Sequence, residues 1–304
     1  MRLPRLPAMS RPPAPPVRTS LRIAVAQMRF QPTLDENLRQ IEATIRRAAR
    51  LGADVVLFPE CATTGYNCDF QSITRARLHG MLRELGSATA EAHVHVLLGT
   101  PWFAGRKPFN SLVHFNRKGQ AVYRYDKCHL TARDRATFSP GRHLALFDID
   151  GIPSTALICH ERRYPELVRL PVMAGARIIF HPNAGLDPLS VSRRKRGGRD
   201  GIAARAFENA VPYVFANSVG PQGDGLWSAG DSKILAADAS VLRLAGNSRA
   251  ELLVSDIDLT HATAVYALEG ITTPRFLAPL WREMIRRVRR EARRGRLPAD
   301  CLAA

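Results

Sequence analysis

The chain has 304 residues, 45% of them hydrophobic, and a formal net charge of +17. That length and apolar content suffice for one large core or two modest ones. No apolar run reaches bilayer length, and five cysteines without a Cys-x-x-Cys pair point to neither a disulfide framework nor a zinc knuckle. A reducing compartment, the cytoplasm, suits such thiols.

Residues 1–20 hold six prolines and four arginines but no apolar segment of the secretory kind, so they are expected to be a flexible lead-in. LRIAVAQ (21–27) alternates like a strand. In the following segment Leu38, Ile41, Ile45 and Ala48 share one helical face, and Gly52 stands where a C-cap belongs. ADVVLF (53–58) is a short apolar run suited to a strand buried on both faces. A helix fits 73–90, a strand 94–99, and two more strands 111–116 and 121–125 around an Asn-Arg-Lys-Gly turn. STALIC (154–159) reads as a strand, PELVRLPVMAG as a helix with an internal proline, and RIIFH as a strand. A helix over 201–210 and strands at PYVFAN, SKILAA and ELLVSDID complete the pattern. Strands and helices alternate without a Gly/Ser linker, which predicts an α/β chain forming one domain over 21–273. From 274 to 304 an Arg-rich tail is expected to be helical and to lie on the surface or against a partner subunit.

The positive charge is concentrated in the lead-in, in the loop Arg193-Arg194-Lys195-Arg196 and in the tail. No helix-turn-helix, RRM or zinc-finger pattern accompanies it, so nucleic acid is not the expected partner.

Three polar residues follow apolar strands: Glu60 after ADVVLFP, Lys127 after AVYRYD and Cys159 at the end of STALIC. Loops at the carboxyl ends of α/β strands collect catalytic groups. A carboxylate, an amine and a thiol meeting there would form a nucleophilic site, with the carboxylate taking the thiol proton and the ammonium lowering the thiol pKa. Taken singly, each has a plainer reading: an exposed acid, a surface lysine, a small buried hydrophobe. The chain has only five lysines among its 44 basic residues, which makes a lysine at this place more notable.

Together the segments resemble the carbon–nitrogen hydrolase (nitrilase) superfamily. FPECATTGY is similar to its glutamate motif, YDKCHL to its lysine motif, and ICHERRYPELVRLPVMAGARIIFHPN to its nucleophile motif. RAFENAVPYVFANSVG, the SPG at 139–141 and DIDL follow in family order, so the likeness spans about residues 21 to 260. The resemblance implies a four-layer α-β-β-α sandwich and a homo-oligomer. It implies Glu60 as general base, Lys127 as oxyanion-stabilising amine, Cys159 as nucleophile and the His160 backbone N–H as second oxyanion donor. Asp134 stands where the family usually has a second glutamate, either orienting Lys127, holding a water or without a role. The chemistry implied is hydrolysis of a small linear amide or N-carbamoyl compound through a thioester, with no metal and no organic cofactor. His160-Glu161 replaces the Trp-Glu usual in nitrilases, so a nitrile is the alternative substrate. A non-catalytic basic scaffold is a third reading. Arg163, or else Arg162, is placed to pair with a substrate carboxylate or to salt-bridge within the fold, and Tyr66, Asn183 and the loop 184–200 are further pocket candidates. His129 and His181 are expected to make local hydrogen bonds. Arg205, Glu208, Asn209 and Glu166 are expected to brace the site from behind.

Overall fold

The computed structural model describes residues 18–269 apart from 106 and 195–200, and beyond them residues 279, 280, 282–284, 286, 287 and 290. Nearly all of the lead-in, most of the tail and part of the arginine-rich loop lie outside the described residues. The described tail residues are helical and exposed.

The first half runs β1 (Ser20–Gln27), α1 (Leu34–Arg50), β2 (Val55–Leu57), α2 (Arg75–Ala92), β3 (His95–Trp102), β4 (Phe109–Phe115), β5 (Ala121–Asp126) and α3 (Ala132–Thr137). A hairpin of β6 (Phe147–Ile149) and β7 (Ile152–Ala156) leads to a 3-10 turn over Cys159–Arg163, then α4 (Glu166–Met173) and β8 (Ile178–Asn183). After β9 (Asp187–Pro188), α5 (Leu189–Arg194) and α6 (Ala203–Phe207) come β10 (Tyr213–Asn217), β11 (Val219–Pro221) and β12 (Leu226–Ala229). The remaining elements are β13 (Lys233–Leu235), β14 (Val241–Leu244), β15 (Glu251–Asp258) and α7 (Val265–Glu269).

Two six-stranded sheets form, ordered β15-β1-β2-β3-β4-β5 and β14-β13-β10-β8-β7-β6, with a small sheet β11-β12-β9 beside them. Strand periodicity explains the layering. Leu21, Ile23 and Val25 of β1 point into the core between the sheets, whereas Ala24 and Ala26 face the opposite way, onto the helix layer. The same split puts Val55 and Leu57 inside and Val56 and Phe58 under the helices. Ile41, Ile45 and Ala48 of α1 and Leu78, Met81 and Leu85 of α2 close that outer face. Each such large side chain contributes roughly 1.5–3 kcal/mol on burial. On the far side Val168, Val172, Ile202, Ala206 and Ala267 cover the second sheet. The result is the expected α-β-β-α sandwich.

Helix α1 starts at a capping box, with Thr33 and Glu36 satisfying each other's backbone N–H groups, and Gly52 follows its end with φ +72° as expected. Three expectations need correction. The strand expected through STALIC stops at Ala156, and Cys159 instead opens the 3-10 turn in a left-handed conformation (φ 54°). The helix over 201–210 is only Ala203–Phe207, since the chain turns at Ala210 with φ 50°. SKILAA contributes only Lys233–Leu235, because the chain turns after Leu235, with the Ala236 N–H donating to the Ser240 carbonyl and the Ala239 N–H to the Ala236 carbonyl.

Candidate active site

Glu60, Lys127 and Cys159 leave the carboxyl ends of β2, β5 and β7, and the two sheets bring those ends together. Close backbone approaches make this possible. A side chain on Gly99 of β3 would meet the Pro59 carbonyl oxygen at 2.0 Å, so the glycine lets the segment bearing Glu60 lie directly on the strand. Gly141 of the Ser-Pro-Gly segment does the same against Asp126, and its N–H donates to the Lys127 carbonyl at 2.8 Å.

Glu60 and Lys127 are both fully buried. Lys127 Nζ lies 2.8 Å from Glu60 Oε1 and 2.9 Å from Asp134 Oδ2. Burial alone disfavours the ammonium, but the Glu60 and Asp134 carboxylates outweigh it and hold the Lys127 pKa well above its ordinary value. Asp134, also buried, keeps its carboxyl low despite burial, through the Lys127 charge and the hydrogen bond from the Tyr66 hydroxyl. Asp134 is held as the N3 residue of the α3 capping box with Thr131.

Two partners of Glu60 have no sequence signal of their own. Asn110 Nδ2 donates to Oε1 at 2.7 Å, and the Ala184 N–H donates to Oε2 at 2.9 Å, linking the second sheet to the first. Asn110 sits in β4 among apolar residues, and a buried strand asparagine is the one cue that could mark it.

Burial first, then the Glu60 charge and its hydrogen bond, push the Cys159 thiol up to about 12, against the pull of Lys127 and Arg162. The thiol is therefore protonated at rest and faces a carboxylate able to take its proton.

Cys159 and His160 line a cavity of ≈350 Å³ together with Tyr66, Arg163 and Asn183. The Tyr66 hydroxyl is committed to Asp134, so its ring is what the cavity meets. Asn183 donates to Asn217 Oδ1 at 2.7 Å, leaving its own buried Oδ1 without a partner among the described residues. Arg163 is exposed at the cavity rim and makes no ion pair among the described residues; Arg133, unmarked by the sequence, lines the same rim. Of the loop 184–200, residues Ala184 to Asp187 form the facing wall.

Glu161 is structural in the strict sense. Its buried carboxylate accepts from Tyr125, from the N–H groups of Cys128 and His129, and from Ile158 N–H, tying the lysine-bearing loop to the cysteine-bearing turn. His129 stacks on Tyr164 at 3.7 Å between ring centres. Arg205 donates to the Arg162 carbonyl at 3.0 Å and pairs with Glu208, while Asn209 donates to the Arg205 carbonyl, as a bracing role requires. Glu166 departs from that expectation: it is exposed in the first turn of α4, where an acid suits the helix dipole. Among the described residues no cluster of three or more His, Cys, Asp or Glu is arranged to hold a metal ion, and no helix is long and apolar enough to cross a membrane.

A two-sheet sandwich with a carboxylate, an ammonium and a thiol gathered at one end is the framework of a hydrolase acting on carbon–nitrogen bonds. The chain belongs to the carbon–nitrogen hydrolase family, whose model matches residues 22–267. Among similar proteins, a nitrilase of Pyrococcus abyssi is 29% identical over 249 residues, covering 78% of this chain and 90% of its own. An (R)-stereoselective amidase of a Pseudomonas species is 32% identical over 213 residues, covering 69% and 75% respectively. The solved structure of a mutant of the Nesterenkonia AN1 amidase, from the nitrilase superfamily, superposes with a TM-score of 0.74 at 25% identity, covering 87% of this chain and 98% of that one.

Proposed function

We propose that the protein is an amidase that hydrolyses a small linear amide or N-carbamoyl compound through a thioester on Cys159. The observation that carries this reading is the buried Glu60–Lys127 pair, 2.8 Å apart, beside Cys159, which itself lines the cavity.

Glu60 accepts the thiol proton as sulfur attacks the amide carbon, so a free thiolate never has to persist. The oxygen of the tetrahedral adduct takes hydrogen bonds from Lys127 Nζ and the His160 N–H. Lys127 suits this role because its neighbours keep it charged. Asp134 anchors it from the other side and leaves Glu60 free to move its proton. The protonated Glu60 then hands its proton to the leaving nitrogen, which departs as ammonia or an amine. Water, deprotonated by Glu60, attacks the thioester, and the acid product leaves with Cys159 restored.

Arg163 supports a carboxylate on the substrate, since it stands at the rim with no acid of the fold to neutralise it among the described residues. A cavity of ≈350 Å³ limits that substrate to a small molecule.

The test is a panel of amides, N-carbamoyl acids and nitriles assayed for ammonia, with Cys159→Ala as control. Amide or carbamoyl turnover that vanishes in Cys159→Ala is the expected result. Turnover of nitriles alone would install the nitrilase reading, which the Pyrococcus abyssi relative keeps in view. Activity persisting in Cys159→Ala would end the thioester mechanism. Replacing Arg163 by alanine is expected to raise KM about tenfold for carboxylate-bearing amides and to leave neutral amides unchanged.

A further inference from the structure

We propose that His181 and Arg162 are positioning residues for the oxyanion hole: they pin the Cys159 carbonyl so that the N–H of His160 is held toward the substrate cavity. The inference rests on the thioester reading above and adds to it what sets the hole's geometry.

The Cys159 carbonyl oxygen is doubly held. His181 Nε2 lies 3.1 Å from it, and Arg162 Nη1 donates to it at 3.3 Å. A carbonyl oxygen only accepts, so Nε2 must carry the hydrogen. Nδ1 of the same ring is then the bare nitrogen, and it accepts from the Tyr213 hydroxyl at 2.8 Å. The tautomer is thus decided by the two partners. His181 is fully buried, and burial together with the Arg162 guanidinium keeps it well below its usual pKa, hence neutral. It serves as a fixed donor and takes no part in proton transfer. The backbone of Arg162 is fixed in turn, because Arg205 Nε donates to its carbonyl at 3.0 Å.

The consequence follows from the planarity of the peptide. In a trans unit the C=O of Cys159 and the N–H of His160 point in opposite directions. His181 stands outside the cavity lining, whereas Cys159, His160 and Arg162 belong to it. Fixing the carbonyl on the His181 side therefore turns the N–H to the other side, toward the cavity. That N–H finds no backbone acceptor among the described residues, as suits a donor kept for a ligand. The restraint is needed because Cys159 has φ 54°, a left-handed conformation that a non-glycine residue holds only when its surroundings impose it. A flipped peptide would place a carbonyl oxygen where the developing oxyanion must sit.

The experiment compares the full-length chain with His181→Leu, His181→Gln, Arg162→Met and the double variant His181→Leu/Arg162→Met. Two rates are read on each: kcat and KM on an amide the unaltered chain turns over, and alkylation of Cys159 by iodoacetamide. Alkylation forms a carbon–sulfur bond and expels iodide, so it needs the sulfur nucleophile but no oxyanion donor. Losing one such donor costs about 100- to 1,000-fold when complete, so a loosened one is expected to lower kcat about 10- to 100-fold in His181→Leu and further in the double variant. KM is expected to stay within about threefold in every variant and the alkylation rate within about threefold in His181→Leu, where no charge beside the thiol is removed, and His181→Gln, which keeps a donor, is expected to recover most of kcat. Should His181→Leu fail to fold, Arg162→Met carries the same prediction at about tenfold, from a side chain only partly buried. Unchanged kcat in the double variant overturns the proposal. So does alkylation that falls in parallel with kcat in His181→Leu, which would mean that the residue merely holds the thiol or the fold. A parent chain that releases no ammonia or amine from any amide overturns the reading beneath it, and that result needs no variant.

Discussion

Both ends of the sandwich are stitched by ions, and they are built in opposite ways. At the carboxyl ends of β2 and β5, Glu60, Lys127 and Asp134 form a network with no solvent exposure at either Glu60 or Lys127. At the other ends of those strands, Asp54 and Asp150 gather Arg18 and Arg117, and Asp150 also takes His95 at 2.8 Å. There Arg18 is 38% exposed and Asp150 27% exposed. The second network joins the β6–β7 hairpin to the first sheet through several redundant pairs, wet at their edges. The first has one cation for two carboxylates, and nothing replaces it. Water decides the difference: screened pairs are weak and interchangeable, whereas a dry pair is costly to break but strong enough to tune a reaction.

The sharpest way to break the comparison is Lys127→Met. Two buried carboxylates are left without their cation, and stability is expected to fall by about 3–5 kcal/mol in denaturant unfolding. Ammonia release should fall at least about 1,000-fold through the same change. A variant as stable as its parent would show that the site end is as tolerant as the far end.

At the far end the signal is pH dependence. His114 is buried against His95 at 2.9 Å, and burial, followed by the His95 ring, pushes its pKa down to about 4. Its folded pKa lies below the unfolded value of 6.5, so between those pH values the unfolded chain binds the proton and the native chain does not. Stability should therefore decline as pH falls from 6.5 to about 4, by about 3 kcal/mol in all. In His114→Phe that part of the slope is expected to disappear from urea midpoints measured across this range.

Asp150 works over a lower window. Despite burial, Arg117 and His95 hold its carboxyl down to about 2, against an ordinary 3.8. Its contribution is present above pH 3.8 and lost as pH falls through about 2. Allowing for partial exposure, Asp150→Asn should remove about 1–2 kcal/mol near neutral pH and leave kcat untouched. A loss of activity in that variant would show that the two ends are coupled. The smallest effect is expected at the exposed Arg22–Asp256 pair of β1 and β15, where Arg22→Ala should leave the unfolding midpoint unchanged.

Elements with a clear period are legible in the residue order alone. The α1 face of Leu38, Ile41, Ile45 and Ala48 and the buried run of β2 need no tertiary information. Short elements are not legible: β6, β9, β11, β12 and α3 span only 2 to 6 residues, too few for periodicity to emerge. Cys159 reads as the end of a strand because its apolar approach looks like one, yet pattern carries no trace of a φ of 54°. The Ala184 N–H leaves no mark in the sequence, and Asn110 only that of an asparagine within a strand, because their value lies in what they face in the folded chain.

The sequence by itself determined the α/β layering, through alternation of apolar side chains, and marked Glu60, Lys127 and Cys159 as candidates, through motifs that resemble those of the carbon–nitrogen hydrolase family. Tertiary structure alone decided how those groups share charge. It set two carboxylates against Lys127, gave the Asp134 carboxylate to Tyr66 as well, and placed His181 and Arg162 on the Cys159 carbonyl. The physical reason is range. Periodicity is a local property that a chain carries in its order, whereas a hydrogen bond or a dry ion pair depends on atoms brought within about 3 Å from segments distant in the chain.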